Sequence, residues 1–116
     1  MNYGEHEEEI KAAIKYLKDA KAEDITIIKT DIETAGTDFV IVCKATAFVH
    51  TSAIANTLKE RMKVDLGISP SVFEGREHGR WVLLDYPFAI VHIMLQEIRD
   101  YYKIEEIHKD CEQENI

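Results

Sequence analysis

Trp81-Val82-Leu83-Leu84, then Asp85-Tyr86-Pro87-Phe88, then Ala89-Ile90-Val91-His92-Ile93-Met94-Leu95: two apolar runs around a short break decide the fold. Runs of this length separated by turn formers predict two antiparallel strands joined tightly. Pro87 has no backbone N–H, so it belongs in the connection and not in a central ladder. The wider stretch from Glu74 to Asp110 holds the only tryptophan and most of the aromatic character of the chain's second half.

Upstream, Phe39-Val40-Ile41-Val42-Cys43 is continuously apolar and β-branched, the pattern of a strand covered on both faces. Asp24–Thr30 reads as another strand, although Ile28 after Ile27 breaks strict alternation. Glu5–Ala22 reads as a helix with Ile10, Ile14 and Leu17 on one face and acids in its first turn. Thr46–Leu66 reads as a second helix, with Thr46 or Thr51 as N-cap and Gly67 closing it. Asp31–Asp38 reads as a loop, Ser71–Phe73 as a short strand and Glu74–Arg80 as a turn.

Downstream of the hairpin, Gln96–Ile107 reads as a final helix packing Ile98, Tyr101 or Tyr102, and Ile104 or Ile107 inward. From about residue 110 the chain is polar, and its end is expected to fray. The order predicts one α/β domain over residues 1–116. Its core would be a single mixed β-sheet of about five strands flanked by three helices.

Composition sets limits on function. The chain has 116 residues, 46% of them hydrophobic, enough for one packed core. Its formal net charge is −8, which repels phosphates and argues against direct nucleic-acid binding. The same charge favours a basic protein partner. No apolar run is long enough to span a membrane, and Met1–Glu7 has neither the basic nor the apolar part of a signal peptide. Cys43 and Cys111 make no disulfide framework and read as reduced thiols of a cytoplasmic protein.

The residues also match a known pattern. Lys21-Ala22-Glu23-Asp24-Ile25, Thr37-Asp38-Phe39-Val40-Ile41, Ala53-Ile54-Ala55-Asn56, Glu74-Gly75, Trp81-Val82-Leu83-Leu84-Asp85-Tyr86, Val91-His92 and Arg99-Asp100-Tyr101-Tyr102 occur in one order and spacing. In that order they resemble the ribosomal silencing factor family, also called Iojap-like, over nearly the whole chain. The resemblance implies a nucleotidyltransferase-like fold without the activity. It also implies binding to the large ribosomal subunit through ribosomal protein L-fourteen, a block on joining of the two subunits, and a homodimer. Three segments depart from the family pattern: Ala45-Thr46-Ala47-Phe48-Val49, Pro87-Phe88 and Ile107-His108.

Partner contact is therefore assigned to the hairpin and final helix. Trp81, Tyr86 and Met94 are the expected apolar anchors, and Phe88 joins them at an exposed hairpin tip. Trp81 alone, without the resemblance, reads as well as a core residue. His92 reads as a hydrogen-bonded histidine in or beside the core, with Asp85 across the hairpin as its expected partner, and Arg99 is expected to pair with Glu74 or Glu97 or to stay solvated. Glu97, Glu105 and Glu106 would supply charge complementarity.

Catalysis has little support. Asp31-Ile32-Glu33 follows a strand, as the metal-holding acids of a nucleotidyltransferase would, but no Gly-Ser phosphate cradle precedes it. The five histidines are scattered, so neither a metal site nor a cofactor is expected. The competing readings are a nucleotidyltransferase-like enzyme and a homodimeric interaction module with another partner.

Overall fold

The computed structural model describes all residues, 1–116. After a single 3-10 turn at Gly4–His6, the chain forms α1 (Glu7–Asp19), β1 (Glu23–Lys29), α2 (Ile32–Ala35), β2 (Phe39–Ala45) and α3 (Phe48–Leu66). It continues with β3 (Val72–Glu74), β4 (Trp81–Asp85), β5 (Ile90–Leu95), α4 (Gln96–Tyr102), α5 (Ile104–Ile107) and β6 (Glu112–Asn115). The strands make one mixed sheet in the order β3-β4-β5-β2-β1-β6. Only β2 and β5 run parallel, and the crossover between them carries α3.

The expected mixed sheet and the β4–β5 hairpin are present, with six strands instead of about five. The extra strand is the tail expected to fray: Glu112–Asn115 pairs antiparallel with β1. Ile116 N–H donates to Ile25 O at 2.8 Å, the Thr26 hydroxyl donates to Asn115 at 2.8 Å, and the Met1 ammonium meets Glu114 at 2.8 Å. These bonds are made by backbone and polar groups, so hydropathy carries no trace of them.

Two layers explain the uneven strand patterns. On one face, Ile25, Ile27, Ile41, Cys43, Val82, Leu84, Val91 and Ile93 join Ile10, Leu17, Ile54, Leu58 and Met62 from α1 and α3 in the main core. On the other, Ile28, Val40, Val42 and Met94 pack with Ile104 of α5, and Ile98 of α4 borders them. Ile27 and Ile28 are both fully buried because each faces a different covered layer.

The remaining differences are local. The expected loop at 31–38 contains α2, capped by the Asp31 carboxylate accepting from Glu33 N–H at 2.9 Å. Helix α3 starts at Phe48 with Ala47 as N-cap and no side-chain cap, so neither Thr46 nor Thr51 serves that role. The Thr51 hydroxyl instead lies 2.6 Å from Gly79 O, tying the helix start to the turn before β4. Gly67 closes α3 in the left-handed region, φ 69°, as its position suggests. The final helix breaks at Lys103, φ 48°, where a left-handed residue cannot continue the helix. The break separates α4 from α5.

Candidate docking surface

Helices α4 and α5 cover only part of the second sheet face. The hairpin register pairs Trp81 with Met94, Leu83 with His92, and Asp85 with Ile90, placing all six on that face. Met94 lies in the covered part, wholly buried among Ile28, Val40, Val42 and Ile104. Its expected role as an exposed anchor is corrected, because α5 packs on it through Ile104. Trp81, Leu83, Asp85, Ile90 and His92 lie outside the cover and are each half-buried.

Trp81 sits at the border of the helical cover. Its indole N–H donates to Nδ1 of His92 at 3.0 Å, and the two ring centroids are 5.7 Å apart. The Tyr102 ring packs at 4.7 Å, and Tyr101 meets Tyr102 at 5.0 Å. Tyr101 is 78% exposed and Tyr102 48%, so an aromatic platform reaches solvent here. A groove of about 320 Å³ lined by Glu74, Gly75, Trp81 and Leu83 runs beside it. Gly75, at φ 91°, lets the preceding turn pass against β4, since a Cβ there would stand 2.0 Å from Trp81 O.

His92 does not bond Asp85 as expected. The register sets Asp85 opposite Ile90, and the imidazole turns to the indole. Because Nδ1 accepts, the proton of the neutral ring is on Nε2. Burial, with a further contribution from His108, holds the His92 pKa down to about 4. The unfolded chain binds this proton near pH 6.5 and the folded protein only near pH 4. The stabilising contribution is therefore complete above about pH 6.5 and is lost as the pH falls toward 4, by on the order of 3 kcal/mol at most. His92→Asn is expected to flatten the urea-measured stability between pH 6.5 and 5. An unchanged slope would show that His92 takes up its proton in the folded protein as easily as in the unfolded chain.

Tyr86 and Phe88 are the clearest corrections. They were expected to project from an exposed hairpin tip, yet they are 2% and 1% exposed. Tyr86 and Ala89 exchange backbone hydrogen bonds that close the turn tightly. The two rings stack at 5.1 Å and join the main core. The Tyr86 hydroxyl is buried without a hydrogen-bond partner, and burial raises its pKa. Tyr86→Phe removes that desolvated group at nearly constant shape and is expected to stabilise the fold by about 1 kcal/mol in urea unfolding. A loss of similar size would mean that the hydroxyl has a partner.

Arg99 pairs with neither Glu74 nor Glu97. Its guanidinium meets Glu105 at 3.2 Å, Asp24 O at 2.5 Å and the Thr26 hydroxyl at 3.1 Å. It therefore clamps α4 onto the N-terminal end of β1 and onto α5. Glu105 is half-buried by this pair, while Glu97 and Glu106 are exposed. Arg99, Lys103, Glu105, Asp24 and Asp100 help to line a polar cavity of about 700 Å³. Tyr101 and Tyr102, expected to offer one ring to the core, are both largely exposed, with Tyr102 packed on Trp81 at the edge of the sheet and Tyr101 against Tyr102. Two adjacent tyrosines in an otherwise charged helix were the signal available for this.

Of the two acids weighed for an enzyme, Asp31 caps α2 through one carboxylate oxygen, which accepts from the Glu33 N–H. One histidine lies beside two acids. His6 Nε2 lies 3.0 Å from Asp38 and 3.7 Å from Glu5, and the ligand atoms of these three residues lie within 4.8 Å of one another.

The arrangement defines a single-sheet α/β domain whose second face is half covered and carries an aromatic platform. A family model described as "Ribosomal silencing factor during starvation" matches residues 4–116, and the chain belongs to that family. It is 37% identical to a ribosomal silencing factor RsfS of Chromobacterium violaceum, over 82% of this chain and 77% of the relative. It is 30% identical to RsfS of Halalkalibacterium halodurans, over 91% of this chain and 90% of the relative. A crystal structure of a Chromobacterium violaceum protein superposes with a TM-score of 0.84 at 35% identity, covering 90% of this chain and 87% of the other. The family expected from the sequence is thus the family found.

Proposed function

We propose that this protein is a translational repressor that binds the large ribosomal subunit and blocks its association with the small subunit. The observation that carries the reading is the half-covered sheet face with Trp81 at the edge of its cover, in a chain belonging to a family named for ribosomal silencing. The family resemblance points to ribosomal protein L-fourteen as the contacted protein. A formal charge of −8 suits a basic partner. Trp81, with Tyr101 and Tyr102 beside it, would supply the apolar anchor, and Glu97 and Glu106 the steering charge. His92 and Asp85 would line the same face, while Arg99 and Glu105 would hold α4 and α5 in place beside it.

In this reading repression is steric. A domain seated on the intersubunit side occupies the space of the small subunit, so neither a cofactor nor a bond-making step is required, and the protein works in the cytoplasm. Self-association through the same platform would make a homodimer that competes with ribosome binding.

Subunit joining followed by light scattering tests this directly. Large subunits preincubated with the protein are expected to give a reduced joining amplitude that saturates near one protein per subunit. Full joining at saturating protein, under conditions where it is bound to the large subunit, would remove the repressor reading and leave only binding.

A further inference from the structure

We propose that His92 is a positioning residue: its Nδ1, together with the Tyr102 ring, locks Trp81 in the orientation needed for docking. The inference rests on the reading that Trp81 contacts the partner. Trp81 is half-buried at the border of the helical cover, so packing alone contacts only part of its indole. The N–H of that ring is held at 3.0 Å by Nδ1 of a histidine on the neighbouring strand. Tyr102 packs at 4.7 Å from the other element bordering the ring. A strand and a helix thus fix one side chain by a directional bond and a ring contact.

The lock has chemical requirements. The indole N–H is a donor only, so its partner must accept. Neutral imidazole with its proton on Nε2 offers Nδ1 for this, and an imidazolium would offer two donors and no acceptor. The buried setting of His92 keeps the ring neutral at physiological pH. A side chain already held in its bound orientation loses less rotamer freedom on association, so the lock would act on affinity through preorganisation and without touching the partner.

The test uses the single tryptophan as its own reporter. In the free protein, ¹⁵N NMR of the one indole N–H is expected to show slow solvent exchange. Protection should be lost in His92→Leu and retained in His92→Asn, whose Oδ1 can accept from a similar position. This measurement needs no ribosome, so it separates failure of the lock from failure of the docking reading. In large-subunit binding, His92→Leu is expected to weaken affinity about tenfold and His92→Asn to restore most of it. In a Trp81→Phe background, which has no N–H, His92→Leu should add no further loss. Fast exchange of the wild-type indole N–H, or full additivity of the two substitutions in proteins with matched melting curves, would overturn the proposal.

Discussion

Trp81→Ala is expected to weaken binding to the large ribosomal subunit by at least about 2 kcal/mol, roughly thirtyfold, while leaving the protein folded. Tryptophan is among the side chains whose truncation at an interface costs most, and this one combines three relevant properties. It is half-buried and so partly open to solvent, its ring is oriented by His92 and Tyr102, and it lines a groove with Leu83 and Glu74. The fold should tolerate the change because Trp81 borders the smaller core cluster and is not one of its buried members. Equilibrium binding of labelled protein to purified large subunits measures the loss, and far-ultraviolet circular dichroism checks the fold. A folded variant with unchanged affinity would remove Trp81 from the docking surface.

Phe88→Ala is expected to do the opposite. It should cost about 3–5 kcal/mol of stability, because it empties a fully buried aromatic site in the main core. Against a typical total of about 5–15 kcal/mol, such a loss brings the domain close to unfolding. Urea unfolding with an unchanged m-value would report it cleanly. A cost below about 1 kcal/mol would mean that the ring projects into solvent, as its place at a hairpin tip first suggests. The pair of substitutions therefore separates the two roles that aromatic residues play along one hairpin.

That separation also marks what the sequence could and could not reveal. The alternation of Trp81 to Asp85 with Ile90 to Leu95 contains the register, and the continuous apolar run at Phe39 contains a strand covered on both sides. Period-two patterns report which face a residue occupies. They do not report whether a helix later lies on that face, and this is why Met94, an expected exposed anchor, is instead buried with Ile104 of α5. Tyr86 and Phe88 failed for a related reason. Whether a turn points away from a domain or folds over its core depends on backbone geometry, here the two Tyr86–Ala89 hydrogen bonds. The break at Lys103 was hidden because lysine is an ordinary helix former, and its side chain carries no signal of a left-handed backbone. Strand β6 was hidden because edge pairing of a polar segment uses backbone groups that every sequence has.

Arg99 shows the same limit for charges. Its nearest acids in sequence and across the hairpin were the natural partners to name. The structure joins it instead to Glu105 and to β1, 73 to 75 residues away in the chain. The consequence for function is indirect: the clamp sets where α4 and α5 rest, and hence how much of the second sheet face stays open.

The most direct test of the account is sedimentation of the purified protein through sucrose with isolated large subunits, isolated small subunits and joined ribosomes. The account predicts retention on large subunits alone, with Trp81→Ala left in the supernatant. Retention on small subunits, equal retention on joined ribosomes, or no retention on any particle at low and moderate salt would contradict it.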